Sequence, residues 1–122
     1  MTPLGARLRA MRAERGVTLK QMAAALKVSS AYLSALEHGH RGLPTWDLMQ
    51  RIIGYFNIIW DDAEELIRLS EISDPRVVID TSGMAPEATA LANRLARDIG
   101  KLSPEDLGQV SAEILRRAGQ KP

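Results

Sequence analysis

The stretch TLKQMAAALKVSSAYLSALEHG, residues 18–39, predicts two short helices joined by a tight corner. Apolar residues recur at helical spacing in each half, so that each helix has one inward face made by Met22, Leu26, Leu33 and Leu36. Val28 sits at the corner and points inward, and Ala23 leaves room for the helices to cross closely. The hydroxyl groups of Ser29 and Ser30 suit the cap of the second helix. This pattern indicates a helix pair with a short connection.

The second helix of this pair has an outward face of small, uncharged side chains. A helix with such a face can lie flat against a rigid surface, which favours a helix that enters the DNA major groove. Serine hydroxyls donate or accept hydrogen bonds, and alanine methyls contact thymine methyls. The predicted base-contacting residues are Ser30, Ala31, Ser34 and Ala35, with Ser29 and Tyr32 at the margin.

These residues resemble the helix-turn-helix of the Cro/CI-type repressors, also called the XRE family. The matching positions are Thr18 at the start of the first helix, Met22-Ala23 in its middle, Val28 in the turn, then Ser29, Leu33-Ser34, Glu37 to Gly39, Arg41 and Pro44. The resemblance covers roughly residues 4 to 70. It implies an all-α chain that begins with a five-helix, lambda-repressor-like DNA-binding domain. Two positions depart from the pattern, because Lys27 replaces a turn glycine and Leu19 replaces a glutamine.

The resemblance also implies a structural pair. In the family, the arginine that matches Arg12 pairs with the glutamate of the Glu-x-Gly motif, here Glu37, and ties the first helix to the recognition helix. A bidentate pair of this kind orients both side chains. The alternative is that both groups are solvated.

Phosphate contacts are expected from basic side chains and helix starts around this motif. Arg41 is the strongest candidate, although a solvated loop charge is the alternative, and the two histidines are pH-dependent helpers. For Trp46, the alternative to a phosphate contact is packing in the core or at its edge. The full set is Arg7, Arg9, Arg12, Thr18, Lys20, Lys27, His38, His40, Arg41, Thr45 and Trp46.

The charge is divided unevenly along the chain. Residues 1–60 carry eight basic and three acidic side chains, whereas residues 61–122 carry eight basic and twelve acidic ones. A basic half beside an acidic half suits a polyanion-binding domain with a partner-binding segment, and random scatter is the alternative. The chain has no cysteine, so a Cys-based metal site or a disulfide is excluded. We also expect no histidine metal site, no cofactor and no catalytic activity.

The predicted organisation is a DNA-binding domain over residues 1–72, a linker or extended arm over 73–85, and a helical hairpin over 86–122. The apolar connector 58–60 is expected to close the core of the first domain. Asp61 and Glu64 are expected to form a capping box for the fifth helix. The β-branched segment RVVID, residues 76–80, is short enough for either an arm or a strand.

The C-terminal hairpin has apolar residues at three- and four-residue spacing on both helices. Its apolar stripe exceeds what one small hairpin can cover, so we expect homodimerisation. The alternative is that the hairpin folds back onto the first domain. The predicted dimerisation residues are Leu91, Leu95, Ile99, Leu107, Val110 and Ile114.

Together these features predict a sequence-specific transcriptional regulator, a repressor that binds double-stranded DNA as a homodimer on an inverted repeat. The expected location is the cytoplasm, on the nucleoid, since no apolar run approaches a membrane span and no signal-peptide pattern opens the chain. No small-molecule effector is expected. The alternative is an antitoxin-like or adaptor module that binds a partner protein through the hairpin.

Overall fold

The computed structural model describes residues 1–119 of the chain. Within them it contains α-helices and one short 3₁₀ turn, Ile99–Lys101, and no β-strand. The predicted all-α class is therefore confirmed, and residues 76–80 form no strand. The helices are α1 (Pro3–Arg15), α2 (Leu19–Leu26), α3 (Ser30–His38), α4 (Trp46–Phe56), α5 (Trp60–Glu71), α6 (Pro86–Asp98) and α7 (Pro104–Gly119).

The chain divides into two compact units. The first unit, Met1–Val77, contains α1 to α5, and the second begins at Val78 and contains α6 and α7. In the first unit a single cluster of buried apolar side chains joins all five helices. Its members are Leu4, Leu8, Met22, Ala23, Leu26, Leu33, Leu36, Leu48, Met49, Ile52, Phe56 and Leu66. Burying these side chains is the main force that holds the short helices together, because helices of this length are marginal alone.

Side-chain caps fix where four of these helices begin, and Thr2 caps α1 through the Gly5 N–H at 2.9 Å. Thr18 accepts a hydrogen bond from the Gln21 backbone while the Gln21 side chain accepts one from the Thr18 backbone, which forms a complete capping box. Ser29 caps α3 through the Tyr32 N–H at 3.0 Å. Thr45 caps α4 through the Leu48 N–H at 3.1 Å. These caps satisfy backbone donors that each helix start leaves unpaired.

The contact between α1 and α3 is unusually close because α1 has a glycine there. A Cβ atom on Gly5 would lie only 2.0 Å from the carbonyl oxygen of Glu37. The same oxygen accepts a hydrogen bond from the Thr2 N–H at 3.2 Å. The start of α1 is also tied to the end of α5, because the hydroxyl of the buried Ser73 accepts a hydrogen bond from the Leu4 N–H at 2.9 Å. Gly5 and Ser73 therefore set how α1 sits on the domain.

Two expectations for the connector before α5 are wrong. Ile58 is half-buried, but Ile59 and Trp60 are 64% and 82% exposed, so only one of the three residues helps to close the core. The helix begins at Trp60, which has a left-handed φ of +53°, and Ile59 before it makes no side-chain cap. Asp61 thus lies inside the first turn, where its negative charge interacts favourably with the helix dipole. Because Asp61 is not the N-cap residue, the expected capping box with Glu64 does not form.

The described part of the second unit, residues 78–119, has a well-formed helix start but no buried apolar core. Ser103 caps α7 through the Asp106 N–H at 3.1 Å, and Pro104 occupies the first helical position. Neither α6 nor α7 contains a buried residue. On α7, hydrogen bonds from Arg116 and then Arg117 hold the pKa of Glu113 below its usual value. The apolar side chains on the stripes of both helices are thus largely exposed.

Candidate nucleic-acid interface

The corner between α2 and α3 depends on one left-handed residue. Lys27 ends α2 with φ of 61° and ψ of 39°, and its N–H bonds to the α2 carbonyl groups. The conformation that glycine usually supplies at this turn is therefore adopted by a lysine, at a conformational cost. Val28 follows with its side chain packed against the core, and Ala23 is buried beneath it in the same cluster. The Lys27 side chain is exposed beside the corner.

The recognition candidate α3 buries Leu33 and Leu36 and turns its small residues outward. Ser30 and Ala31 are exposed, whereas Ser34 and Ala35 are half-buried. The first turn is therefore the part of this face that is most open to a partner. Ser29 is exposed as well, but its hydroxyl oxygen already accepts the capping bond from the Tyr32 N–H, so the O–H and one lone pair remain for a partner.

The predicted structural pair is present. Nε and Nη2 of Arg12 donate to the two carboxylate oxygens of Glu37 at 3.2 and 2.9 Å, a bidentate geometry. The side chains are 12% and 2% exposed. The pair therefore fixes α3 against α1 in a site that is largely shielded from water. Because its guanidinium is committed to Glu37, Arg12 is a weaker candidate for a phosphate contact than the exposed arginines of α1.

The loop after α3 is held against the recognition helix by aromatic and histidine contacts. The Arg41 guanidinium lies over the half-buried Tyr32 ring, 5.7 Å from its centre, which is within the range of cation–π attraction. His38 contacts the Ser34 carbonyl oxygen through Nδ1 at 2.9 Å, and its ring stacks near that of His40 with 6.4 Å between centres. Arg41 is thus positioned by a residue of α3 instead of extending freely from a loop.

The remaining predicted phosphate contacts fall into two groups. Exposed cationic side chains come from α1, α2 and the two loops that flank α3, and these are Arg7, Arg9, Lys20, Lys27 and Arg41. Thr18 and Thr45 are exposed at helix starts, where their hydroxyls serve as caps. Trp46 begins α4 and is 65% exposed, so it is not inside the core, and packing at the core's edge remains the alternative to a DNA contact.

Three arginines outside the predicted set also shape this region. Arg51 donates to the Leu26 carbonyl at the end of α2 and pairs with Asp47 at 3.2 Å. Arg15 donates to the Phe56 carbonyl and lies over the Phe56 ring. Arg76 lies in the segment after α5, beside the loop that follows α3. The Arg51–Asp47 pair is local, four positions apart, but the Leu26 and Phe56 carbonyls lie 25 and 41 positions from their arginines, so no local signal marks those two contacts.

Two negative observations concern residues 1–119. This part of the chain has no group of three or more His, Cys, Asp or Glu residues placed to hold a metal ion. None of its helices combines the length and the apolar character that a membrane crossing requires.

Comparison with protein families agrees with this geometry. A family model described as a helix-turn-helix domain matches residues 3–74, which is more than half of the chain and includes α1 to α5. Neither the curated proteins nor the solved structures gave a significant match.

Proposed function

Because the chain belongs to the helix-turn-helix domain family, we propose that it is a Cro/CI-type transcriptional regulator, a repressor that binds specific DNA sequences. The observation that carries this proposal is the outward face of α3. That face is small and uncharged, and the shielded Arg12–Glu37 pair fixes α3, the helix that carries it, against α1. α3 would enter the major groove with its first turn leading.

The α3 surface would read bases with hydroxyls and methyl groups. Ser30 and Ala31 are the most exposed members of the face, so they would contact base edges most directly. Ser34 and Ala35 would follow one turn later along the groove. The face carries no Arg, Gln or Asn that could form a bidentate bond to a base. Specificity would therefore depend partly on DNA shape and on bridging water.

Phosphate contacts would supply much of the affinity. The exposed cations around α3 neutralise backbone phosphates and release counterions, so affinity falls as salt rises. Arg41 is the central example, since its stacking on Tyr32 holds its charge next to the recognition helix.

Substitutions at Arg41 and Ser34 separate these two kinds of contact. We expect Arg41→Ala to weaken binding to all sequences. It should also reduce the steepness of the salt slope, the slope of log affinity against log salt concentration, by about one. Ser34→Ala is expected instead to change the preference among sites, whereas Ser111→Ala on α7 is the matched control that should change neither. A uniform loss across sites for Ser34→Ala would argue against base readout, and an unchanged slope would remove Arg41 from the phosphate contacts.

We further propose that the protein binds as a homodimer on an inverted repeat, with half-sites about one helical turn apart. The support comes from α6 and α7, which together form the dimerisation segment. Of the six predicted dimerisation residues, Leu91, Ile99, Leu107, Val110 and Ile114 are exposed and Leu95 is half-buried. Two helices without a buried residue do not make a stable unit in water, and a second copy would cover matching stripes.

Sedimentation of two charge variants tests this dimer. Val110→Asp places a carboxylate on the stripe and should shift the protein toward monomer. Gln109→Asp adds the same charge at the neighbouring exposed position and should leave the dimer intact. Equal behaviour of the two variants would contradict dimerisation through this stripe.

The competing proposal is an antitoxin-like or adaptor module. The same exposed stripe of α6 and α7 favours it, because a different protein could cover that surface instead of a second copy. A chain that stays monomeric alone but forms a defined complex with the product of a neighbouring gene would support this alternative. In either case we propose no catalytic activity, cofactor or small-molecule effector, and a cytoplasmic location on the nucleoid.

A further inference from the structure

A cleft of about 330 Å³ lies between the loop after α3 and the segment after α5. Residues 39–42 form one wall, and Asp74, Pro75 and Arg76 form the other. The two walls are in close contact, because a Cβ on Gly39 would lie 3.7 Å from the Pro75 side chain. The segment after α5 therefore packs on the end of the recognition helix and brings Arg76 to the side of the loop that carries Arg41.

The cleft has a positive charge balance. Its formally charged side chains are Arg41, Arg76 and Asp74, all of them exposed. No acidic side chain within residues 1–119 forms an ion pair with either arginine. The Asp74 carboxylate instead accepts a hydrogen bond from the Arg76 backbone N–H at 3.0 Å. Arg41 and Arg76 thus line the cleft without a salt-bridge partner in the described chain.

The end of α3 does not cancel this charge. Exposed carbonyl oxygens at a helix end would repel an anion. Here the Leu36 and Ala35 carbonyls accept hydrogen bonds from the N–H groups of Gly39 and His40, at 3.3 and 2.8 Å. The negative end of the helix is therefore already occupied by backbone donors, and the arginines dominate the field in the cleft.

We propose that this cleft binds a phosphodiester group of the DNA backbone, with Arg76 as a phosphate-contacting residue beside Arg41. The guanidinium fork matches the oxygen geometry of phosphate. Arg41 is stacked on Tyr32 of α3, so a phosphate in the cleft would belong to the same DNA that α3 contacts. This inference rests on the proposed DNA binding and adds to it a contact from the end of the domain.

The test compares the salt dependence of DNA binding for the full chain and two arginine variants. Arg76→Ala keeps the backbone N–H that bonds to Asp74, so the segment should retain its shape. Arg68→Ala on α5 removes an equally exposed arginine that is not part of the cleft. We expect Arg76→Ala to lower the slope of log affinity against log salt by about 0.9, and Arg68→Ala to leave it unchanged. The advantage of wild type over Arg76→Ala should then shrink roughly 3.5-fold between about 50 and 200 mM salt.

A charge change of opposite sign gives an independent measurement. Asp74→Asn removes the negative charge but keeps an oxygen that can accept the Arg76 N–H bond. We expect this variant to bind DNA roughly two- to fivefold more tightly at low salt. Unchanged or weaker binding would contradict a phosphate in the cleft.

The outcomes distinguish failure of the inference from failure of the proposed function. A wild-type chain that binds no DNA refutes the proposed function and this contact with it. A wild-type chain that binds DNA with the same slope as Arg76→Ala refutes the contact alone. The cleft could instead bind free phosphate. Titration of the DNA-free protein with inorganic phosphate, followed through the amide NMR signals of Gly42 and Arg76, tests this alternative. Saturable shifts together with an unchanged DNA slope would assign the cleft to free phosphate and overturn the DNA contact.

Discussion

Gly5 is the residue whose substitution should most directly disturb the placement of the recognition helix. Gly5→Ala adds one methyl group at the crossing of α1 and α3. That carbon would lie 2.0 Å from the Glu37 carbonyl oxygen and 2.7 Å from its carbonyl carbon and Cα, all of them backbone atoms. No side chain can rotate away to make room, so α1 and α3 must move apart.

The cost of this movement follows from the geometry. Real Cβ atoms stay at least about 3.0 Å from such neighbours, so the local separation must grow by about 1 Å. The Thr2 N–H to Glu37 carbonyl bond, already 3.2 Å long, would then break. Overpacking costs about 1–3 kcal/mol and the lost hydrogen bond about 1 kcal/mol, whereas the better helix propensity of alanine returns at most about 1 kcal/mol. The expected net loss is about 1–3 kcal/mol, or roughly 5–20 °C in Tm.

Urea and thermal unfolding followed by circular dichroism measure this loss, with Gly54→Ala as the control. Gly54 lies inside α4, and a Cβ there meets nothing within 4 Å. The same chemical change should therefore stabilise the protein by about 0.5–1 kcal/mol. The free energy of unfolding should therefore fall for Gly5→Ala and rise for Gly54→Ala. A Gly5→Ala protein as stable as wild type would refute the close crossing of α1 and α3.

Three further predictions concern single groups. Arg12→Ala leaves the buried Glu37 carboxylate without its partner and should destabilise the first unit by about 3–5 kcal/mol in urea unfolding; a loss below 1 kcal/mol would contradict the shielded pair. Lys27→Gly removes the conformational cost of a left-handed lysine and should stabilise the first unit by about 0.5–1 kcal/mol. It should also lower the salt slope of DNA binding by about one, because one positive charge is lost. A lower Tm than wild type would contradict backbone strain at Lys27. Because the folded pKa of Glu113 is depressed, its hydrogen bonds with Arg116 should support α7 fully above the usual glutamate pKa and fail as pH falls through the lower, folded value. Acid titration of helicity should therefore show a transition that Glu113→Gln removes, and identical titrations would contradict it.

Local signals were sufficient for the elements that build the recognition motif. Thr18, Ser29 and Thr45 were predictable as caps because a cap depends on a hydroxyl placed one residue before a helix that has its own apolar periodicity. The corner itself was predictable from its place between two such helices, but its left-handed backbone at Lys27 was not, because a lysine replaces the glycine usual there. The pairing of Arg12 with Glu37 came from the family pattern, and in the structure the two side chains are 2.9 Å apart.

The misplaced residues are those whose role depends on distant parts of the chain. Ile59 and Trp60 were expected inside because they are large and apolar, but the core is already closed by Phe56 and Leu66, and the connector turns outward. Gly5 and Ser73 carry no local sign of their role, since their contacts cross 32 and 69 positions. Arg76 was missed for the same reason, because only the packing of Pro75 on Gly39 brings it to the interface.

Selection of bound fragments from genomic DNA, with sequencing of the bound pool at low and at physiological salt, tests sequence-specific binding most directly. We expect one short inverted repeat to be enriched at both salt concentrations, with half-sites about one helical turn apart. Alanine substitutions at Ser30 and at Ser34 should shift the bases that are enriched within each half-site. Binding that disappears at physiological salt and enriches no motif would contradict sequence-specific recognition by α3.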